Sequence, residues 1–143
     1  MIGGGKTAGR NAEETGIMRV TILSSDARLA ASIIGLCQGI DGIEITHHDD
    51  YSCVTLLAIA DPWPDMVIVD VSSRGSAGLG IVYDIRCALP TCGIIAVGMY
   101  KSRTLARSLA ECGSDVFILT ENIPRDLLKT IARIKQRAEN LAS

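Results

Sequence analysis

The sequence predicts an α/β fold, a single domain built on a doubly wound, five-stranded parallel sheet. Three observations lead there. Short apolar runs alternate with helical patterns five times between residues 19 and 138, the order a parallel sheet requires because each crossover needs a helix. The apolar runs are continuous rather than alternating, as in strands covered on both faces. The chain has 143 residues, 48% of them hydrophobic, which suits one domain with a sizeable core. Aromatic residues make up only 3%, so that core must be aliphatic.

Residues 1–17 are polar, glycine-containing and without hydrophobic periodicity, and are expected to form a disordered leader upstream of a natural start at Met18. Residues 18–143 then form the domain. Val20 to Leu23 is the first strand. Asp26 to Gln38 is a helix with Leu29, Ile33 and Leu36 on one face. Gly39 to Gly42 is a turn, Ile43 to Thr46 the second strand, and Asp50 to Ala60 a helix stopped by Asp61-Pro62-Trp63-Pro64. Met66 to Val69 is the third strand. Ser72 to Gly80 reads as a flexible loop before a helix with Ile81, Ile85 and Leu89 in register, ended by Pro90. Gly93 to Val97 is the fourth strand, Ser102 to Cys112 the fourth helix, with Leu105 and Leu109, and Gly113 suits its C-cap. Val116 to Leu119 is the fifth strand. Pro124 sits in the first turn of the last helix, which carries Leu127, Ile131 and Ile134 on one face. Right-handed crossovers leave few topologies, and the flavodoxin-like order 2-1-3-4-5 is the expectation.

The most informative segment is Pro64-Asp65-Met66-Val67-Ile68-Val69-Asp70-Val71. It places Asp70 at the carboxyl end of a buried strand, where open α/β sheets bind ligands. An acid there is costly unless hydrated, paired or used. With the order and spacing of elements from 19 to 138, this segment resembles a response-regulator receiver domain. The resemblance implies that Asp70 is the phosphoacceptor position, phosphorylated by a sensor kinase. It also implies Mg²⁺ held by an acidic pair after the first strand, by the aspartate and by the carbonyl of Ser72. A Thr or Ser ending the fourth strand and a Lys ending the fifth would hold the phosphoryl oxygens.

The surrounding positions depart from that pattern. The acidic pair falls on Ser24 and Ser25, and only Asp26, one position later, is acidic. Asp is a preferred helix cap, and Asp26 reads first as the cap of the helix carrying Leu29. The Thr/Ser position falls on Gly98 and the Lys position on Thr120. Phe117 falls on the aromatic position that turns inward on activation in receivers. Serine hydroxyls are weak ligands for Mg²⁺, which favours carboxylates in octahedral geometry. An acyl phosphate brings about two negative charges into a site lacking its usual cations. The expectation is therefore an atypical, or pseudo, receiver whose pocket residues Ser24, Ser25, Asp26, Ser72, Gly98 and Thr120 are vestigial, with Asp70 a structural or switching carboxylate bonded to Ser24, Ser25 or Thr120. No cofactor is expected, and Mg²⁺ belongs to the alternative reading.

Other patterns carry less. Gly3-Gly4-Gly5-Lys6-Thr7 lacks the strand, helix and upstream glycine of a phosphate-binding loop. His47-His48-Asp49-Asp50 has the residue types of a metal site, but adjacent histidines on an extended chain face opposite ways and make poor joint ligands, so the segment reads as an exposed turn in which Asp49 or Asp50 caps a helix. Cys37, Cys53, Cys87, Cys92 and Cys112 are odd in number without a C-x-x-C pair, so reduced thiols in the cytoplasm are expected. The net charge of −2 gives no reason to expect nucleic-acid binding by this chain alone. No apolar run is long enough for a membrane span, and the leader lacks a secretory h-region.

The last helix carries Lys129, Arg133, Lys135 and Arg137, and the helix over 102–112 carries Arg103, Arg107 and Glu111. In receivers the fourth helix, fifth strand and last helix commonly form a dimer or docking face. Arg103, Arg107, Glu111, Lys129 and Arg133 are its candidates here. The reading is a non-enzymatic signalling module whose partner is a sensor kinase, a fused or separate effector such as a DNA-binding domain, or a second copy. The last helix is also expected to be able to continue into an output domain. Two alternatives stand beside it: a phosphorylation-competent receiver using Asp70 as nucleophile and Asp26 as metal ligand, and a small-ligand binder using the strand-end crevice.

Overall fold

A computed structural model describes residues 16–49, 63–72 and 76–142. The expected helix over 50–60, residues 73–75 of the expected loop and nearly all of the expected leader lie outside the described residues. Five strands form one sheet: β1 (Met18–Leu23), β2 (Ile43–His48), β3 (Met66–Asp70), β4 (Gly93–Gly98) and β5 (Val116–Leu119). Their order is β2-β1-β3-β4-β5, and every neighbouring pair is parallel. The described helices are α1 (Ala27–Cys37), α2 (Ser76–Ala88), α3 (Arg103–Cys112) and α4 (Ile123–Ala142), with a 3₁₀ turn at Thr120–Asn122 between β5 and α4.

The continuous apolar strands have a physical cause. Successive side chains point to opposite faces, and both faces are covered. Met66, Ile68, Ile95 and Val97 pack with α1 and α4 residues such as Ile33, Leu127 and Ile131. Val67, Val69, Ile94 and Ala96 pack on the other side with Val82, Ile85 and Leu109. Every residue of β3 and β4 is buried.

The helix boundaries follow capping chemistry. The Asp26 carboxylate accepts from the backbone N–H groups of Arg28 (3.0 Å) and Leu29 (3.2 Å) and starts α1. Ser102 Oγ accepts from Leu105 N at 3.1 Å and starts α3. Gly113 ends α3 at φ 118°, a left-handed conformation that glycine adopts without Cβ strain. A Cβ there would also stand 2.7 Å from the Arg86 side chain. That arginine binds the base of the sheet together, donating to the carbonyls of Gly113 (2.8 Å), Pro90 (2.9 Å) and Cys92 (2.6 Å) and to Asp115 Oδ2 (3.1 Å).

Several expectations need correction. Strand β1 begins at Met18, two residues early, because Met18 pairs with Ile43 and is buried. Strand β2 runs on to His48, so His47 and His48 lie in the ladder opposite Ile22 and Leu23 and not in a turn. Helix α2 starts at Ser76 inside the expected loop. Glycines and serines favour a loop locally, but Gly78 lets α2 press against Val71, where a Cβ would come within 2.9 Å. Its buried face is accordingly Val82 and Ile85, continued by Leu89, with Ile81 half-buried. Helix α1 buries Ala30, Ile33 and Cys37, leaving Leu29 and Leu36 partly covered.

Candidate functional site

The parallel register brings the strand ends side by side. Leu23 pairs with Val69, Asp70 with Val97, and Gly98 with Leu119. Ser24, Asp70, Gly98 and Thr120 therefore end neighbouring strands at one edge of the sheet. Asp70 is only 4% exposed and Ser24 only 1%.

Asp70 is held by hydroxyl and amide donors. Ser24 Oγ donates to its Oδ2 at 2.8 Å. The backbone N–H of Ser72 donates to Oδ1 at 3.0 Å, an Asx-type turn two residues on, and the Ser72 hydroxyl donates to the same oxygen. Three donors on two oxygens offset much of the cost of burying a carboxylate. Ser24 is fixed in turn: its Oγ accepts from Asp26 N at 3.0 Å, and its carbonyl meets His47 Nε2 at 2.9 Å. Of the three hydroxyls expected around Asp70, Ser24 is the one that bonds it. Ser25 is exposed, and Thr120, half-buried, enters the 3₁₀ turn. The hydroxyl of Ser72 is the partner that sequence reasoning missed; a Ser two residues after an Asp was the available signal.

These residues do not fit Mg²⁺. The ion needs several hard oxygens, carboxylates foremost, in octahedral array. Here the two positions after β1 supply neutral serines, and the Asp26 carboxylate is committed to capping α1. Asp70 presents oxygens already bonded to hydroxyl and amide hydrogens. Among the described residues no group of three His, Cys, Asp or Glu could hold a metal ion.

Gly98 has no side chain because Phe117 fills its space. An ideal Cβ at 98 would stand 3.0 Å from Phe117 Cε1, 3.1 Å from Cζ and 3.5 Å from Val71 Cγ2. The Phe117 ring is partly buried against the α2–α3 side of the core.

The candidate interface residues divide. Arg103, Lys129 and Arg133 line a groove of about 520 Å³ between α3, β5 and α4, together with Lys101 and Asp126. Arg107 and Glu111, exposed on the same α3, do not line it. Arg137 instead reaches Asp115 at 3.0 Å at the base of the sheet. A second cavity of about 830 Å³ lies there, at the amino ends of β3 and β4 beside Met66 and Gly93, far from the Asp70 end. Burial raises the Cys37 thiol pKa and pushes that of Cys92 up to about 12. No helix among the described residues is long and apolar enough to cross a membrane.

No protein-family model matches the chain, and no curated protein is significantly similar to it in sequence. Solved structures do match its shape. A response regulator from Thermotoga maritima superposes with a TM-score of 0.75 at 18% identity, over 82% of this chain and 97% of its own. A CheY-like receiver domain protein from Methanospirillum hungatei gives 0.73 at 20% identity, over 87% and 98%. A protein assigned to pilus assembly (cpaE) from Burkholderia thailandensis gives 0.74 at 16% identity, over 84% and 99%. With its 2-1-3-4-5 parallel sheet and an aspartate closing the central strand, the chain has the receiver fold of response regulators.

Proposed function

We propose that this chain is an atypical receiver of response-regulator type that signals by binding other proteins, with Asp70 a fixed, hydrogen-bonded carboxylate rather than a phosphoacceptor. The observation that carries the reading is the 2.8 Å bond from Ser24 Oγ to Asp70 Oδ2. Where the resemblance puts a metal-binding acid, this chain puts a hydroxyl that donates to the aspartate itself. The other positions agree, since Gly98 offers no hydroxyl and Thr120 no cation. Phosphoryl transfer depends on positioned positive charge at the transferring group, and the positions that supply it in receivers are neutral here.

On this reading the module is not an enzyme. Its partner is a protein, either a sensor kinase or a fused or separate effector, reached within the cytoplasm. The neighbours of similar shape include a pilus-assembly protein as well as response regulators, so fold alone does not choose the pathway. The test is incubation with acetyl phosphate and Mg²⁺ followed by intact-mass spectrometry. The reading expects no phosphoryl adduct on wild type; an adduct lost in Asp70→Asn would sink it.

A further inference from the structure

We propose that Cys87 and Cys112 are a redox pair, two thiols on the seam between α2 and α3 that hydrogen peroxide joins into a reversible disulfide. This is a modification site separate from the Asp70 end of the sheet and independent of the role of Asp70. Helices α2 and α3 each connect parallel strands and lie on the same face of the sheet, over the cluster of Val82, Ile85 and Leu109. They therefore run side by side in one direction, with their carboxyl ends together. Cys87 is the last residue but one of α2, and Cys112 is the last of α3. The two ends touch. An ideal Cβ on Gly113 would stand 2.8 Å from Arg86 Cβ, and Arg86 Nη2 donates to the Gly113 carbonyl at 2.8 Å. Arg86 directly precedes Cys87 in the chain, and Gly113 directly follows Cys112.

Helix periodicity turns both thiols toward that seam. On α2, Tyr83, Arg86 and Cys87 occupy positions i, i+3 and i+4 and share one flank. On α3, Leu105, Leu109 and Cys112 share a face and pack on the cluster that α2 also covers. Arg103 and Ala106 turn the other way, into the groove beside β5. The Tyr83 hydroxyl hydrogen-bonds Cys87; that bond is the first cause of a raised Tyr83 pKa, and Cys112 across the seam also contributes. Exposure separates these two thiols from the others. Cys87 is exposed and Cys112 half-buried, while Cys37 and Cys92 are sealed in the core. An accessible thiol beside a second one is the arrangement of a redox sensor.

Access fixes the order of the steps. The Cys87 sulfur, open to solvent, attacks one peroxide oxygen. The O–O bond breaks, the Cys87 proton leaves with the departing oxygen as water, and Cys87 becomes a sulfenic acid. The Cys112 sulfur then attacks the Cys87 sulfur. The S–S bond forms, the S–O bond breaks, and the leaving hydroxide takes the Cys112 proton as a second water. Two thiols are oxidised by two electrons in all, and one peroxide is reduced to two waters. The bridge fastens the carboxyl end of α3 to α2 covalently. A thiol reductant reverses it by exchange.

The test treats the full chain with a slight molar excess of hydrogen peroxide and maps its peptides by mass spectrometry without reduction. We expect a peptide linked through Cys87 and Cys112, an intact chain lighter by two hydrogens, and complete return to thiols with dithiothreitol. Cys112→Ser should leave Cys87 as a sulfenic acid that dimedone captures, whereas Cys87→Ser should leave Cys112 without a dimedone adduct. Circular dichroism checks that both variants keep the wild-type fold. Cys53 lies outside the described residues, so the mapping is repeated on Cys53→Ser, in which the same link should form. Four results would each overturn the proposal: both thiols left free by peroxide, Cys87 driven to sulfinic acid with Cys112 untouched, a dimedone adduct on Cys112 in Cys87→Ser, or a link from either thiol to Cys53 or to a second chain instead.

Discussion

Ser24 Oγ sits 2.8 Å from Asp70 Oδ2 and locks the end of β1 to the end of β3, with both side chains buried. Removing one partner of a buried hydrogen bond to a charged group costs the desolvation of the group left behind. Ser24→Ala should therefore destabilise the domain by about 1–3 kcal/mol. Ser72→Ala should cost less, because the Ser72 backbone N–H still donates to Oδ1. Ser25→Ala, at an exposed position, should change stability by no more than about 0.5 kcal/mol. Urea unfolding midpoints at constant slope decide the order.

Gly98 and Phe117 share one space. Gly98→Thr should force the ring at 3.0 Å out of its place at a cost of about 1–3 kcal/mol. Phe117→Leu should relieve part of that cost, giving a coupling above about 0.5 kcal/mol in a double-mutant cycle. Gly35 is the control: it lies on the exposed face of α1 with open space around its Cβ position. Gly35→Ala should stabilise by about 0.5–1 kcal/mol through helix propensity alone.

Much of this was legible in the sequence, and the failures share a cause. Sheet order, strand identities and the caps at Asp26 and Gly113 follow from local chemistry that the chain states directly: apolar runs, crossovers, a side-chain oxygen before a helix and a glycine after one. Helix α2 was misjudged at its start because Gly78 and its neighbours favour a loop locally, while the contact with Val71 is tertiary. The same holds for the site. Ser24 could be placed beside Asp70 by analogy of position, but choosing among Ser24, Ser25 and Thr120 required the register of β1 against β3 and the exposure of each hydroxyl. The groove cations Arg103, Lys129 and Arg133 were identifiable individually; that Arg107 and Glu111 do not join them depends on the rotation of α3 about its axis.

Arg86 is irreplaceable by charge alone. Its planar fork meets the carbonyls of Gly113, Pro90 and Cys92 and the Asp115 carboxylate at once, a geometry an ammonium cannot reproduce. Arg86→Lys should cost about 2 kcal/mol, well above the change expected at an exposed surface position. Thermal unfolding of the two proteins checks it.

The buried thiol of Cys92 gives the domain an alkaline limit. Its pKa is raised from the ordinary 9.0 to about 12, chiefly by burial. A group whose pKa rises on folding contributes stability below its unfolded value and loses it as pH climbs toward the folded one. Stability should thus be unaffected by this thiol below pH 9 and fall between about pH 9 and 12. Cys92→Ala should flatten that part of the profile. In the native state at mild alkaline pH, iodoacetamide should label exposed Cys87 and spare Cys37 and Cys92, as peptide mass mapping would reveal.

The most direct test of the central claim is an amide NMR titration with beryllofluoride, a phosphoryl mimic, and Mg²⁺, run on wild type and on Asp70→Asn. A carboxylate committed to Ser24 and Ser72, flanked by serines at the acid positions, should give no saturable shifts around Asp70 in either protein. Shifts that saturate in wild type and vanish in Asp70→Asn would contradict the account, because they would mean that the strand ends still assemble a phosphoryl site.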